Sequence, residues 1–189
     1  MATSSTNVPL GTRAPEFELP DVVTGEPLRL GDVAGSRVLV VAFICRHCPY
    51  VQHVKEELAR LGRDYMWRDV AFVAISANDA DAYHDDAPES LAEFAGEIGL
   101  PYPLLYDESQ YVAKAYGAAC TPDFFVFDSG RHLVYHGQLD DSRPGSGMPV
   151  TGADLRAAIQ AVLGGVTPAT AQKPSIGCSI KWKSGPATA

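Results

Sequence analysis

The chain has 189 residues, enough for one domain with a sizeable core. With 15 Lys and Arg against 23 Asp and Glu, its formal net charge is -8, which argues against nucleic acid or an anionic membrane surface as partner. No apolar run approaches the ~20 residues of a membrane span. The first residues have neither the basic n-region nor the apolar h-region of a signal peptide, so residues 1–7 are expected to be a short disordered tail and the protein cytoplasmic. Residues 8–165 then form one domain, and residues 166–189 a C-terminal tail that contains Cys178.

Residues 8–37 are rich in turn formers. Residues 14–20 alternate apolar and acidic side chains, as a half-exposed strand does, and residues 28–30 read as a second strand after the turn at Thr24-Gly25-Glu26-Pro27. Together they predict a small hairpin ahead of the central sheet. Residues 38–44 are apolar on both faces, the pattern of a buried central strand. A helix follows, to about Trp67, with Val51, Val54, Leu58, Leu61 and Tyr65 on one face. Residues 70–76 are a second buried strand, which completes a βαβ unit with parallel strands.

Residues 78–89 are polar and acidic and read as a loop, and Pro88-Glu89 suits a helix first turn. That helix carries Leu91, Phe94, Ala95 and Ile98 and ends at Gly99. Residues 101–106 are extended because residues before prolines avoid the helical region. A short helix bearing Tyr111, Val112, Ala115 and Tyr116 stops at Gly117. Residues 124–127 and 133–136 form an antiparallel hairpin about the turn Asp128-Ser129-Gly130. A last helix carries Leu155, Ala158, Ile159 and Val162. Beyond it, Ile176, Ile180 and Trp182 are too apolar for a disordered terminus, so the tail is expected to dock.

Cys45-Arg46-His47-Cys48 stands where the buried strand turns into the first helix. A helix start carries unpaired N–H groups and a partial positive charge, which favour a thiolate. Arg46, and His47 when protonated, add charge between the cysteines. A C-x-x-C pair is either half of a metal site or a redox dithiol. A four-cysteine zinc site needs a second close pair, and Cys120 and Cys178 are each single. The redox reading is favoured, with no metal and no cofactor. His53 could contribute to a copper or zinc site, but a helix-surface position suits it better; Asp123 reads as a solvent-facing strand end.

The segments Ala14-Pro15-x-Phe17-x-Leu19, Cys45-x-x-Cys48-Pro49, Pro103-Leu104-Leu105-Tyr106-Asp107, and Thr121-Pro122 ahead of Phe124-Phe125-Val126-Phe127-Asp128 carry a resemblance. In this order they resemble the thioredoxin-like superfamily, in its alkyl hydroperoxide reductase/thiol-specific antioxidant (peroxiredoxin-like) branch. The tail Pro174-Ser175-Ile176-Gly177-Cys178-x-Ile180-Lys181-Trp182 is similar to that of a bacterial subgroup of these proteins. The resemblance implies an α/β thioredoxin-like fold: a central mixed β-sheet flanked by helices, with an N-terminal hairpin and a docked C-terminal tail. It also implies a cis Thr121-Pro122 bond facing the cysteines, with these two residues binding substrate. Thioredoxins keep a buried acid on the strand before the motif, and residues 38–44 hold none. Typical peroxiredoxins carry Thr or Ser three residues before the peroxidatic cysteine; counting back from Cys48, that position holds Cys45.

The function expected is that of a thiol–disulfide oxidoreductase in redox homeostasis, acting on protein or small-molecule thiols and disulfides. Cys45 is expected to attack and Cys48 to resolve. The alternatives are a peroxiredoxin-like thiol peroxidase acting on peroxides, and a copper- or zinc-binding protein of the same fold. Arg46, His47, Cys120 and Cys178 are accessory candidates: Cys120 stands two residues before Pro122, and Cys178 could be a third redox thiol or a small packed residue.

Overall fold

In the computed structural model, residues 2–184 are described. The sequence runs β1 (Ala2–Ser4), β2 (Glu18–Pro20), β3 (Pro27–Arg29), β4 (Val38–Phe43), α1 (Pro49–Tyr65), β5 (Val70–Ser76), α2 (Pro88–Ile98), β6 (Leu104–Tyr106) and α3 (Tyr111–Tyr116). It continues through β7 (Cys120–Thr121), β8 (Asp123–Phe127), β9 (Leu133–Gly137), α4 (Ala153–Leu163) and β10 (Ile176–Ser179).

The main sheet has the order β6-β5-β4-β8-β9. β4, β5 and β6 are parallel, β8 runs antiparallel to β4, and β9 turns back antiparallel to β8. β4 is buried on both faces because each face has its own cover. Val38, Val40 and Ala42 pack with Leu58 and Leu61 of α1, Phe94 of α2 and Ile159 of α4. Leu39, Val41 and Phe43 pack with Val112 and Tyr116 of α3 and with Phe17 and Leu19 of the N-terminal segment. At ~25 cal/mol per Å² of apolar surface, these two layers supply the main drive to fold. A mixed sheet between helices, with β2 and β3 as an added hairpin, is the thioredoxin-like α/β architecture.

A second, small sheet has the order β1-β10-β7. The tail docks as expected, and it does so as a strand. Residues 2–4 depart from the expectation of disorder: Ala2 lies opposite Cys178, Thr3 opposite Gly177 and Ser4 opposite Ile176. Their short polar side chains carry no period-2 signal. The strand exists because β10 offers an edge of unpaired backbone groups that β1 satisfies. Met1 and residues 185–189, which the sequence reading assigned to the two tails, lie outside the described residues.

Candidate active site

β4 ends at Phe43, and the chain crosses the end of the sheet through residues 44–48 before α1 begins. Cys48 is the N-cap of α1, in an extended conformation (φ -72°, ψ 122°), and Pro49 takes the first helical position, where its missing N–H costs nothing. Opposite lies the junction of β7 and β8. The Thr121–Pro122 peptide is cis, as the resemblance implied. Cys45 Sγ lies 3.1 Å from Thr121 Oγ1, and Cys48 Sγ lies 3.2 Å from the Thr121 carbonyl oxygen. Both sulfurs are fully buried (0% exposed).

The two thiols differ in acidity, opposite to the expected order. Cys45 foremost, then Cys178 and the Val51 amide, favour the charged form of the Cys48 sulfur. Against the cost of burial, these donors bring Cys48 down to about 4. The Thr121 carbonyl oxygen acts the other way, since it accepts from the thiol and would repel a thiolate. Cys45 is pushed up because it holds the shared proton for Cys48, because it is buried, and because Asp86 faces it. Of the two, Cys48 is the one whose surroundings favour the thiolate. A cysteine that flanks the helix sees its free N–H groups, whereas one three residues earlier does not.

Asp86 is the residue that sequence reasoning missed. It sits in the acidic stretch read as a solvated loop, yet it is fully buried. Its Oδ1 accepts from the Arg46 amide (2.7 Å) and the His47 amide (3.3 Å); its Oδ2 meets His47 Nδ1 (2.5 Å) and accepts from Asn78 Nδ2 (2.7 Å). One carboxyl thus shapes the loop between the cysteines. No spacing signal could have marked it, because its partners come from residues 46, 47 and 78. Cys45, His47 and Asp86 also form the one group of three potential metal donors within 4.8 Å of one another among the described residues. Asp86 is already saturated by four donors, and the cluster reads as a hydrogen-bonded one. His53 is not in it.

The chain matches the AhpC/TSA family over residues 10–136. It belongs to that family. Among curated relatives, a proposed peroxiredoxin of Mycobacterium tuberculosis is 33% identical over 117 residues, 61% of this chain and 68% of that protein. The thiol-disulfide oxidoreductase ResA of Geobacillus thermodenitrificans is 27% identical, covering 67% of each chain. Among solved structures, an uncharacterized conserved protein from Geobacillus kaustophilus is 55% identical, with a TM-score of 0.96 over 98% of both chains.

The remaining candidates divide between the family domain and the tail beyond residue 136. Cys178 is at the site, facing Cys48. Cys120 is buried on β7, and burial pushes its thiol up. Arg46 does not sit between the thiols: its guanidinium turns outward to Glu93 (2.9 Å), Glu97 (2.8 Å) and the Ser90 carbonyl (2.8 Å). Its amide, not its charge, serves the loop. His47 stacks on Tyr83 and is held by Asp86. Asp123 is also unlike its expected role. It is buried, paired with His136 Nε2 at 3.1 Å, and not solvent-facing. Desolvation raises it, with His136 opposing.

Proposed function

We propose that this AhpC/TSA protein is a thiol–disulfide oxidoreductase in which Cys45 and Cys48 cycle between dithiol and disulfide. Its substrates are small-molecule or protein thiols and disulfides. The observation that carries the reading is the seating of both cysteine sulfurs on the cis Thr121–Pro122 junction, Cys45 Sγ 3.1 Å from Thr121 Oγ1 and Cys48 Sγ 3.2 Å from the Thr121 carbonyl oxygen. Two thiols held against one residue, with the Cys48 thiol shifted below the ordinary cysteine range, are what exchange through a mixed disulfide requires.

Cys48 attacks a disulfide sulfur of the substrate, and the first substrate thiolate leaves. Cys45 then gives up its proton and attacks the Cys48 sulfur, which releases the second substrate thiolate and closes the Cys45–Cys48 disulfide. The Thr121 hydroxyl, within hydrogen-bond distance of Cys45 Sγ, supports the Cys45 thiolate as it forms. Thr121 and Pro122 form the wall against which substrate is held. The cycle belongs in the cytoplasm, where thiols are kept reduced.

A thiol peroxidase reading has one feature in its favour: the activated sulfur lies in a fully buried setting that a peroxide reaches more easily than a peptide does. Turnover of bis(2-hydroxyethyl) disulfide and of hydrogen peroxide, each with a thiol donor, tests both. Cys48→Ser is expected to abolish disulfide turnover. Cys45→Ser, which cannot close the Cys45–Cys48 disulfide, is expected to slow it. Full disulfide turnover by Cys48→Ser would overturn the assignment. Peroxide turnover far above disulfide turnover would install the peroxidase reading instead.

A further inference from the structure

β10 is built to hold one residue over the site. It pairs antiparallel with β7, with Cys178 opposite Thr121 and Ser179 opposite Cys120. A Cβ added at Gly177 would overlap the Thr121 carbonyl, so only glycine lets the strand lie this close. That same carbonyl touches Cys48 Sγ. β1 closes the other edge of β10. Past the strand, the Lys181 amide donates to Asn78 Oδ1 (2.8 Å), and its carbonyl accepts from the Asp79 amide (2.9 Å) and Gln110 Nε2 (2.8 Å). Cys178 is therefore fixed from both sides. Cys45, Cys48 and Cys120 are buried, whereas Cys178 is partly exposed.

We infer that Cys178 is a third catalytic thiol, which relays the disulfide from the buried Cys45–Cys48 pair to the surface. The inference rests on the dithiol cycle proposed above. In the oxidised state Cys178, as its thiolate, attacks the Cys48 sulfur. The Cys45–Cys48 bond breaks, the Cys48–Cys178 bond forms, and Cys45 leaves with the electron pair and takes up the proton that Cys178 gave. No external oxidant is consumed, because the step is an internal exchange. An external thiolate then attacks the partly exposed Cys178 sulfur and expels Cys48 as a thiolate, leaving a mixed disulfide on Cys178 that a second external thiol resolves.

The direction follows from the surroundings of each sulfur. Cys178 packs against the cluster that holds Cys48, and its neighbour Gly177 lies on the Thr121 carbonyl that Cys48 Sγ touches, so exchange occurs at Cys48. In the second step the external thiolate expels Cys48, the lower-pKa sulfur, and a lower-pKa sulfur leaves faster. The Cys178 thiol is pushed up to about 11, by burial first and then by its hydrogen bond to Cys48, with Lys181 pulling it down. Once Cys48 is bound in a disulfide, the negative charge behind the second cause is gone, and Cys178 deprotonates more readily at the moment it must attack.

The test is disulfide mapping of the full chain after treatment with bis(2-hydroxyethyl) disulfide, acid quench and alkylation. In Cys45→Ser the main oxidised species is expected to be Cys48–Cys178. In Cys178→Ser the Cys45–Cys48 bond should still form, and its reduction by glutathione should slow at least ten-fold against the unmodified protein. If Cys178 stays fully alkylatable in oxidised Cys45→Ser, or if Cys178→Ser is reduced at the unmodified rate, the relay is overturned. Failure of the underlying dithiol cycle reads differently: Cys178→Ser would then form no Cys45–Cys48 bond at all.

Discussion

Replacing Cys45 by alanine should move the titration of Cys48 by an amount the structure sets. The first contribution to the low Cys48 value is the proton held by Cys45. A hydrogen bond to a charged group is worth ~1.5–3 kcal/mol, and one pKa unit is about 1.36 kcal/mol, so Cys45→Ala should raise the Cys48 midpoint by roughly 1–2 units. Cys45→Ser keeps a donor and should move it less. Ultraviolet thiolate absorbance against pH reads both. The unmodified protein should show one thiolate inside the ~3.5–7.5 range of activated cysteines, and Cys48→Ser should show none there. The stability linkage has a definite sign. The folded value of Cys48, about 4, lies below the unfolded value of about 8.5. The stabilisation is therefore complete above the unfolded value and is lost as pH falls toward the folded one. Denaturant unfolding of Cys48→Ala should lack that dependence. A low-pH thiolate that disappears in Cys45→Ser and survives in Cys48→Ser would refute the reasoning and return the nucleophile to Cys45.

Two further outcomes follow from the packing around the site. Asp86→Ala leaves the Arg46 amide and Asn78 Nδ2 without their acceptor; it should cost about 3–5 kcal/mol of unfolding free energy by urea denaturation, and a loss under 1 kcal/mol would mean that water replaces the carboxyl at no cost. Gly177→Ala should lift β10 from Thr121 and make Cys178 and Cys48 react faster with a bulky maleimide while the thermal transition persists; unchanged labelling rates would show that the strand accommodates a Cβ.

Much of this was legible in the sequence. The βαβ unit was readable because a run buried on both faces and a helix with one apolar stripe leave strong periodic signals; the tail docks as its apolar residues suggested, but of Ile176, Ile180 and Trp182 only Ile180 is buried. Turn chemistry announced the β2–β3 hairpin. What stayed hidden has a common physical cause: it depends on partners distant in the chain. Asp86 looked like one more acidic loop residue because its donors are at positions 46, 47 and 78. Asp123 is buried against His136, thirteen residues on. β1 exists only because β10 lies beside it. The direction of the two thiol shifts was hidden for a different reason. The helix boundary matters to one residue: with Pro49 first, Cys48 is the cap and Cys45 is outside the reach of the free amides.

The site is not finished by the family domain. The match to AhpC/TSA ends at residue 136, and several groups that complete the sulfurs' surroundings lie beyond it. Lys181 donates its amide to Asn78 Oδ1, and Asn78 Nδ2 donates to Asp86, which receives the amides of Arg46 and His47. This is one hydrogen-bonded chain from the docked tail to the loop between the cysteines. Gly177 and Cys178 close the path from the other side, through Thr121. Loop order and tail docking are thereby coupled: releasing the tail removes an acceptor-bound amide from Asn78, frees Asn78 from its fixed orientation, and weakens the hold of Asp86 on the loop. In this chain the docked tail helps to set the shape of the loop that carries the thiols.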